Sequence, residues 1–429
     1  MGRRSTQTRL QVLLNGAQVG SLARNASGGL EFAYAEGWLR TVGAIPVSQS
    51  LPLRELPYRG IPVEAYFDNL LPDNDEIRRR IAERMAVGGH GTFDLLAAVG
   101  RDCVGALQFV PEGEGIEKPT SVLGEVLSDR DIAALLRNLK ISPLGLDREK
   151  EFRISIAGVQ EKTALLRWKG RWYRPKGVTP TTHIFKPAIG KLPSGLDMSG
   201  SVQNEWFCLK LAEHFGLSVA RADMKKFDGV DCLVVERFDR RNGLRVPQED
   251  LCQALGVPWP RKYESDGGPG MVTIMDFLNA SDQRERDREF FIRAQLVFFL
   301  LAAIDGHAKN FSITLLPTGF QLVPIYDVMT VWPALAARQI EPKQAKLAMS
   351  VGDNKHYRLG EIQRRHWEQT AKKAGFPLRN LELLLQDLVD RERKVDDLVH
   401  RIGKAISPQL ADSVTAGIKK HLKVLTTSL

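Results

Sequence analysis

An unbroken run of nine apolar residues, 296–304, constrains the fold of this chain more than any other feature. It ends a longer segment, about 284–304, that is predicted to be a helix, and a helix that is apolar all round must be buried. The run is too short to cross a bilayer, which needs about 20 residues. Four polar residues follow within six positions, namely Asp305, His307, Lys309 and Asn310. The chain therefore places an acid, two potential cations and an amide at the end of a buried helix.

The order of periodic patterns predicts an α+β, two-lobed chain. Residues 10–35 alternate as in a β-meander, with a turn at Asn15-Gly16, and residues 73–86 have the spacing of an amphipathic helix. Strand patterns return at 152–157 and 163–168, and helical patterns dominate beyond 249. We predict three regions: an amino-terminal subdomain at 1–110, a β-rich lobe at 111–240, and a mostly helical lobe at 241–429. The Pro-, Gly- and Glu-rich segment 111–119 marks the first boundary.

Composition is typical of a soluble protein, argues against a metal site built on cysteine, and favours an anionic partner. The chain of 429 residues is 43% hydrophobic and 26% charged, as in ordinary soluble proteins, and it begins with no signal-peptide core. Its four scattered cysteines suit reduced thiols in the cytoplasm rather than a metal site. A net charge of +9 favours an anionic partner such as a nucleotide, a nucleic acid or an acidic protein.

The spacing from Asp305 to Asn310 is that of the protein-kinase catalytic loop. In that loop the Asp accepts the proton of the attacking hydroxyl, and the Asn binds Mg²⁺. A predicted hairpin then ends at Asp327, a second oxygen ligand that would suit Mg²⁺. His307 and Lys309 would offset phosphate charge. The alternative is structural, with Asp305 ending a helical turn and Asp327 starting a loop.

The β-rich lobe offers residues that would hold phosphates. Lys186 lies on a short strand and Glu205 on the helix that follows, in the order of the kinase Lys strand and Glu helix; the alternative is an edge-strand lysine reaching solvent. Gly158 and Lys162 in the sequence SIAGVQEKT would form a phosphate loop with one glycine, or else a plain hairpin. The residues 236–238 end a strand and would form a hinge to adenine, an interlobe salt-bridge segment, or both.

Several motifs occur in the order found in HipA-family serine/threonine-protein kinase toxins. They include FRISIAGVQEKTALL, NEWFCLKLAEHFGL, VERFDRR, PQEDLCQALG, KYESDGGPG, DGHAKNFS and PIYD, and also YFDNLLPD at 66–73 and GRDCVGAL at 100–107. The chain resembles that family over nearly its whole length. The resemblance implies a protein-kinase-like fold with an added amino-terminal subdomain, and a kinase that belongs to a toxin–antitoxin system.

The resemblance also assigns roles to residues. It implies that Asp305 is the catalytic proton acceptor, that Asn310 and Asp327 bind Mg²⁺, and that Ser155 is a self-inactivating autophosphorylation site. The residues that it implies for ATP binding are Ala157, Gly158, Val159, Gln160, Glu161, Lys162, Lys186, Glu236, Arg237, Phe238, His307, Ala308, Lys309, Asn310, Tyr326 and Asp327. Lys372 and Lys373 lie where the family contacts DNA, although the flanking sequence diverges.

The family's partner is the helix-turn-helix antitoxin HipB, with which HipA binds operator DNA, and its substrate of note is glutamate–tRNA ligase. The resemblance thus implies a cytoplasmic, nucleoid-associated protein with no membrane partner, whose kinase activity arrests translation and produces persistence. Two alternatives stay open. One is a small-molecule kinase with the same Asp/Asn/Asp site, and the other is a catalytically dead corepressor subunit that binds DNA.

Overall fold

The computed structural model describes residues 8–115, 122–147, 152–158 and 160–427. Part of the predicted boundary segment 111–119, and Val159 of the predicted phosphate loop, lie outside the described residues. The helices are α1 (Glu36–Leu39), α2 (Ile61–Asp68), α3 (Asp75–Met85), α4 (Thr92–Val99), α5 (Asp129–Arg137), α6 (Ser201–His214), α7 (Leu251–Ala254), α8 (Met271–Phe277), α9 (Arg284–Leu301), α10 (Trp332–Ala336), α11 (Arg364–Lys373), α12 (Leu378–Glu392), α13 (Val395–Ile402) and α14 (Pro408–Thr426). The strands are β1 (Arg9–Leu14), β2 (Ala17–Arg24), β3 (Leu30–Tyr34), β4 (Tyr58–Arg59), β5 (Leu107–Pro111), β6 (Gly124–Leu127), β7 (Thr163–Trp168), β8 (Arg171–Pro175), β9 (His183–Pro187), β10 (Gly190–Lys191), β11 (Asp197–Met198), β12 (Ala222–Phe227), β13 (Val230–Glu236), β14 (Arg240–Arg241), β15 (Leu244–Arg245), β16 (Gln248–Asp250), β17 (Ser312–Leu316), β18 (Gly319–Leu322), β19 (Lys346–Val351) and β20 (His356–Arg358).

The chain folds into two compact units. The first unit comprises Met1–Pro187, Lys225–Pro260 and Ile313–Thr318, and the second comprises Ala188–Met224, Arg261–Ser312 and Gly319–Leu429. Most of the strands lie in the first unit, and the longest helices lie in the second. The division of the sequence at residues 110 and 240 stays a prediction.

The amino-terminal part of the first unit is built on an antiparallel sheet in the order β4-β3-β2-β1-β5. Asn15 and Gly16 join β1 to β2 with φ angles of 49° and 85°, the left-handed pair that a tight hairpin turn requires. Alternation along β1 buries Leu10 and Val12 completely. The predicted β-meander is confirmed.

A second sheet of the first unit has the order β12-β13-β9-β7-β8-β6. β9 lies between β13 and β7, because Lys186 is opposite Leu233 and Phe185 is opposite Thr163. The predicted strand at 163–168 is confirmed as β7.

The predicted strand at 152–157 is wrong. Only Phe152 makes a bridge, to Asp147, and the residues that follow have no strand partner among the described residues. Phe152, Ile154 and Ile156 are nevertheless buried in the hydrophobic core of the first unit. A segment outside any sheet that places an apolar residue at every second position in a core gives the same period-two pattern as a strand, so the alternation could not distinguish them.

The second unit is organised around α9. Phe299 near its end stacks on His421 of α14, with ring centroids 4.2 Å apart, and the Trp332 indole donates to the Leu300 carbonyl at 3.0 Å. Gly417 of α14 meets the Trp332 ring so closely that a Cβ there would lie 2.2 Å from it. The residues before Asp305 are therefore fixed by tight packing. None of the described helices combines the length and the apolar content that crossing a membrane requires.

Candidate active site

The chain leaves α9 by a sharp reversal. Ala302 follows the helix in the left-handed conformation, with φ of 48°, and the Ala303 N–H donates to the Phe298 carbonyl at 2.8 Å. Gly306 then passes so near the Phe298 ring that a Cβ would lie 2.4 Å from it, and glycine is required for that close approach. The turn that follows is thus held against the end of a buried helix.

The polar residues of the turn 305–310 form a short network of hydrogen bonds. The Asn310 side-chain amide donates to the Asp305 carbonyl at 2.6 Å, and the Asn310 N–H donates to the His307 carbonyl at 2.9 Å. His307, Lys309 and Asn310 are 3%, 6% and 6% exposed, whereas the Asp305 side chain is 55% exposed. The turn therefore presents one accessible carboxylate on a backbone that its own neighbours hold in place.

Asp327 lies near the turn 305–310, because Tyr326, the residue before it, is hydrogen-bonded to that turn. The Tyr326 hydroxyl donates to the Lys309 carbonyl at 3.0 Å and bonds to the Ser312 hydroxyl at 2.5 Å, so it contacts residues on both sides of Asn310. Asp327 itself has a left-handed backbone with φ of 59°, an uncommon conformation for a non-glycine residue.

The surroundings of Asp327 are fixed on both sides. Before it, the Ile325 N–H donates to the Ser218 carbonyl at 2.9 Å. After it, the Asn204 side chain donates to the Thr330 carbonyl and accepts from the Thr330 N–H, each at 2.9 Å. Strained backbone of this kind persists where the neighbouring structure determines it, and it concentrates at functional sites.

The oxygen atoms of Asn310 and Asp327 suit a magnesium ion. The Asn310 amide nitrogen is used in the bond to Asp305, which orients its side-chain oxygen as an acceptor. Mg²⁺ prefers such hard oxygen ligands and usually takes only one or two of them from protein, with phosphates and waters completing the octahedron. The two residues supply the kind of oxygen ligand that the ion predicted from the sequence would need, and the magnesium site stays a prediction.

The phosphate-binding candidates of the first unit lie on β9 and in the residues before its neighbouring strand β7. Lys186 is on β9 and is 6% exposed, and the Gln160 side chain donates to the carbonyl of Pro187 at 3.1 Å. The Lys162 ammonium donates to the Ala157 carbonyl at 2.8 Å, across Gly158 with its φ of 105°. The loop is therefore tied to the strand that carries Lys186.

Ser155 is completely buried. Its hydroxyl donates to the Leu70 carbonyl at 2.7 Å, and its N–H donates to the Asp102 carbonyl at 3.0 Å. Leu70 belongs to the YFDNLLPD sequence and Asp102 to GRDCVGAL. These two amino-terminal motifs therefore hold the predicted autophosphorylation site in the interior of the first unit.

The predicted hinge residue Arg237 belongs to a buried group of charges, which we name the Asp102 cluster. Its members are Asp102, Arg237, Asp239, Arg240 and Arg245, all of the first unit. Arg240 and Arg245 contact the Asp102 carboxylate at 2.9 and 3.0 Å, and Arg237 contacts Asp239 at 2.7 Å. Burial alone would raise the pKa of Asp102, but the guanidinium groups outweigh it and hold that pKa below its ordinary value.

The Asp102 cluster limits what the hinge residues can offer a ligand. The Arg237 side chain is fully engaged, and its N–H donates to the Thr182 carbonyl at 2.9 Å. Glu236 is exposed and Phe238 is half-buried at the end of β13. Arg237 does form salt bridges, but they lie inside the first unit and do not make the interlobe segment that was one alternative from the sequence, and the hinge to adenine stays a prediction.

The structure thus gathers the predicted residues into two sets. The second unit brings together Asp305, residues 307–310, Tyr326 and Asp327. In the first unit Lys186 lies on β9, residues 160–162 directly precede β7, and residues 236–238 follow from the end of β13, so these candidates lie on or next to three neighbouring strands. One nucleotide site that draws on both sets, and the pairing of Lys186 with Glu205, stay predictions. Lys372 and Lys373 are exposed at the end of α11, where Lys373 pairs with Asp353 at 2.8 Å.

One contact of the site was missed by sequence reasoning. The Tyr263 hydroxyl donates to the Asp305 carboxylate. Tyr263 lies in KYESDGGPG, whose glycine-rich part 264–270 was predicted to be a surface loop, and nothing in its spacing indicates a contact with a residue 42 positions away.

Comparison with known proteins shows which protein family the chain resembles. Residues 10–110 match the model of the HipA N-terminal domain, and residues 154–405 match that of the HipA-like C-terminal domain. The chain is 34% identical to the protein Y4mE of Sinorhizobium fredii over 395 residues, which is 89% of each chain. It is 28% identical to the serine/threonine-protein kinase toxin HipA of Shewanella oneidensis over 370 residues, 80% of this chain and 78% of that one.

The fold agrees with these matches. The structure superposes on HipA from a complex of Shewanella oneidensis HipA, HipB and operator DNA with a TM-score of 0.79 and 23% identity, covering 98% of this chain and 100% of the other. The chain belongs to the HipA family. Both the resemblance and the predicted α+β, kinase-like fold class are confirmed.

Proposed function

We propose that this chain is an ATP- and Mg²⁺-dependent serine/threonine protein kinase and the toxin of a type II toxin–antitoxin system. The observation that carries the proposal is the turn 305–310, where one exposed carboxylate stands on a backbone fixed by Asn310 and joined through Tyr326 to Asp327. Phosphoryl transfer depends on such positioning more than on covalent chemistry.

The proposed roles follow from the chemistry of each group. Asp305 accepts the proton of the serine or threonine hydroxyl as that oxygen attacks the γ-phosphorus and ADP leaves. Asn310 and Asp327 would hold Mg²⁺, which when bound neutralises charge on the phosphates. Lys186 and the segment 157–162 would contact phosphates, and residues 236–238, 307–310 and Tyr326 would complete the contacts with ATP.

Ser155 is the proposed site of self-inactivation. Its hydroxyl is buried and donates to a carbonyl, so it can receive a phosphate only after the segment leaves this position. A phosphoserine has no proton to donate to the Leu70 carbonyl, and its two negative charges require cationic partners. The modified segment therefore cannot return, and the phosphate loop that begins at Ala157 stays displaced with it.

The proposed partners rest on the family. HipA of Shewanella oneidensis forms a complex with HipB and operator DNA, and we extend to this chain a helix-turn-helix antitoxin and a corepressor role on operator DNA. The net charge of +9 and the exposed Lys372 and Lys373 agree with DNA as a partner. Glutamate–tRNA ligase is the proposed substrate, through which translation arrest and persistence would follow in the cytoplasm.

Phosphate transfer is tested with the purified chain, [γ-³²P]ATP and Mg²⁺. Incorporation into the chain, mapped to Ser155 by mass spectrometry and lost in Ser155→Ala, supports a protein kinase. Turnover of ATP only when a sugar or lipid is added would instead identify a small-molecule kinase.

The toxic role is tested in cells. Induction of the wild-type chain should arrest growth, and Asp305→Ala should relieve the arrest while leaving expression unchanged. Undiminished arrest by Asp305→Ala would contradict catalysis as the toxic act and favour a binding role on DNA.

A further inference from the structure

The carboxylate of Asp305 does not stand alone on its turn. Tyr263 donates its phenolic proton to Asp305 Oδ1, and His307 Nε2 lies 3.6 Å from the same oxygen. Asp305 Oδ2 has no hydrogen-bond partner among the described residues. The two oxygens of the proposed base are therefore in different states, one anchored and one accessible.

The Tyr263 side chain is aimed by structure on both sides of it. Its ring meets the His307 ring edge to face, with centroids 4.9 Å apart and planes at 85°. Its carbonyl accepts from the N–H groups of Asp266 and Gly268, at 3.1 and 2.9 Å, in a tight turn.

The next residue fixes the turn to a strand. The Glu264 carboxylate accepts from the Ser350 N–H at 2.6 Å and from the Ser350 hydroxyl at 2.9 Å, and Ser350 belongs to β19. The segment KYESDGGPG therefore has a structural role that its glycine content does not suggest, because it holds the Tyr263 hydroxyl against Asp305.

A carboxylate on an exposed side chain rotates about its χ angles, and a general base loses efficiency when its acceptor oxygen points away from the proton. Anchoring Oδ1 by a hydrogen bond fixes that rotation, just as a third group orients the base in other catalytic sites. We propose that Tyr263 is a positioning residue that holds Asp305 so that Oδ2 accepts the substrate proton. The inference rests on the proposed function and adds a residue to it.

The opposite role for Tyr263 would be inhibitory. In that role its phenol occupies the place of the substrate hydroxyl, and removal of the phenol speeds phosphate transfer. Two features favour the positioning role over the inhibitory one. The Tyr263 hydroxyl contacts Oδ1 of Asp305 and leaves Oδ2 accessible to the substrate, and the Tyr263 ring is held in place by its packing against His307.

The test is Tyr263→Phe, which removes only the hydroxyl and keeps the ring on His307. The initial rate of ³²P incorporation into the chain itself is measured against ATP concentration, for wild type and variant. A hydrogen bond to a charged group is worth about 1.5–3 kcal/mol, so we expect the maximal rate to fall about ten- to a hundredfold. The ATP concentration at half-maximal rate should stay within about twofold, because the phenol contacts the base.

The control is Tyr58→Phe, which removes a phenol that donates to the Pro52 carbonyl at 2.5 Å in the amino-terminal part of the first unit. It should leave both parameters unchanged. If wild type incorporates phosphate and Tyr263→Phe is equally fast or faster, the positioning role is refuted and the proposed function stands. If wild type incorporates none, the proposed function fails, and the role of Tyr263 fails with it.

Discussion

The turn 305–310 of the second unit and the segment 155–162 of the first are held by different kinds of contacts. The turn is fixed by bonds among its own residues, such as that from Asn310 to the Asp305 carbonyl, by the end of α9, and by the Tyr263 and Tyr326 hydroxyls. The described part of the segment has no regular secondary structure, and besides the bond from Lys162 to Ala157 the distant residues Leu70 and Asp102 hold it.

This difference separates two requirements of the proposed enzyme. A catalytic carboxylate must stay where it is through many cycles, and local bonds with a tightly packed helix achieve this. A segment that must move when it is phosphorylated needs bonds that can be exchanged for others, and single hydrogen bonds to remote carbonyls can be exchanged. We therefore expect perturbations of the first unit to release the segment and leave the turn intact.

The largest effect is expected from Asp102→Asn, because it removes one charge from the buried Asp102 cluster. Three guanidinium groups would then face one carboxylate, Asp239, and breaking a buried ion pair costs about 3–5 kcal/mol. Hydrogen exchange should show a loss of protection at residues 102–109 and 152–158. Residues 305–310 should keep the protection that they have in the wild type. Asp228→Asn, in an exposed pair with Arg137 at 3.6 Å, is the control and should change little.

Glu249 provides a perturbation of the first unit by pH. Burial raises its pKa to about 8 from 4.5, although hydrogen bonds from Ser48 and Gln49 oppose the shift. The folded state then binds a proton that the unfolded state has lost, so stability falls as pH rises from about 5 to 8, by about 3 kcal/mol. Glu249→Gln should flatten this dependence in urea unfolding, and Glu55→Gln, at an exposed position, should not.

His421 provides the opposite perturbation of the second unit. Burial lowers its pKa to about 4 from 6.5, against the hydrogen bond to the Phe299 carbonyl. Here the unfolded state binds the extra proton, so stability falls as pH drops from 6.5 to 4, by about 2 kcal/mol. His421→Gln should remove that dependence, and His400→Gln, at an exposed position on α13, should keep it. If the stability of His421→Gln and His400→Gln depended equally on pH, His421 would not be the source of this dependence in the second unit.

The smallest effect is expected at the segment itself. Glu161 pairs with Arg80 at 3.0 Å, and each side chain is 24% exposed. A partly exposed pair contributes at most about 1 kcal/mol, so Glu161→Gln should raise hydrogen exchange near 160–162 slightly and leave overall stability unchanged. A cooperative loss of structure in that variant would mean that the segment is held more firmly than its visible contacts allow.

Sequence patterns anticipated the parts of the molecule that depend on local periodicity. The nine apolar residues before Asp305 required a buried helix end, and the alternation at 10–35 required a meander, and both are present. The strand predicted at 152–157 was wrong, because Phe152, Ile154 and Ile156 are buried in a core although, among the described residues, only Phe152 makes a bridge.

Contacts between distant residues had no such signal. The left-handed Ala302 that turns the chain out of α9 is not a glycine, so the reversal could not be read from composition. The bond from Tyr263 to Asp305, and the hold of Leu70 and Asp102 on Ser155, join residues 42 to 85 positions apart. Packing selects such partners, and a single sequence does not record them.

The most direct test of the central claim is the rate of phosphate incorporation from [γ-³²P]ATP into the chain when Asp305 is replaced by Asn. The account predicts a fall of about 10²- to 10⁴-fold, the usual contribution of a general base, with an unchanged urea midpoint. Asp412→Asn, an exposed acid on α14, should match wild type. A D305N protein that transfers phosphate as fast as wild type would contradict the assignment of Asp305 as the proton acceptor.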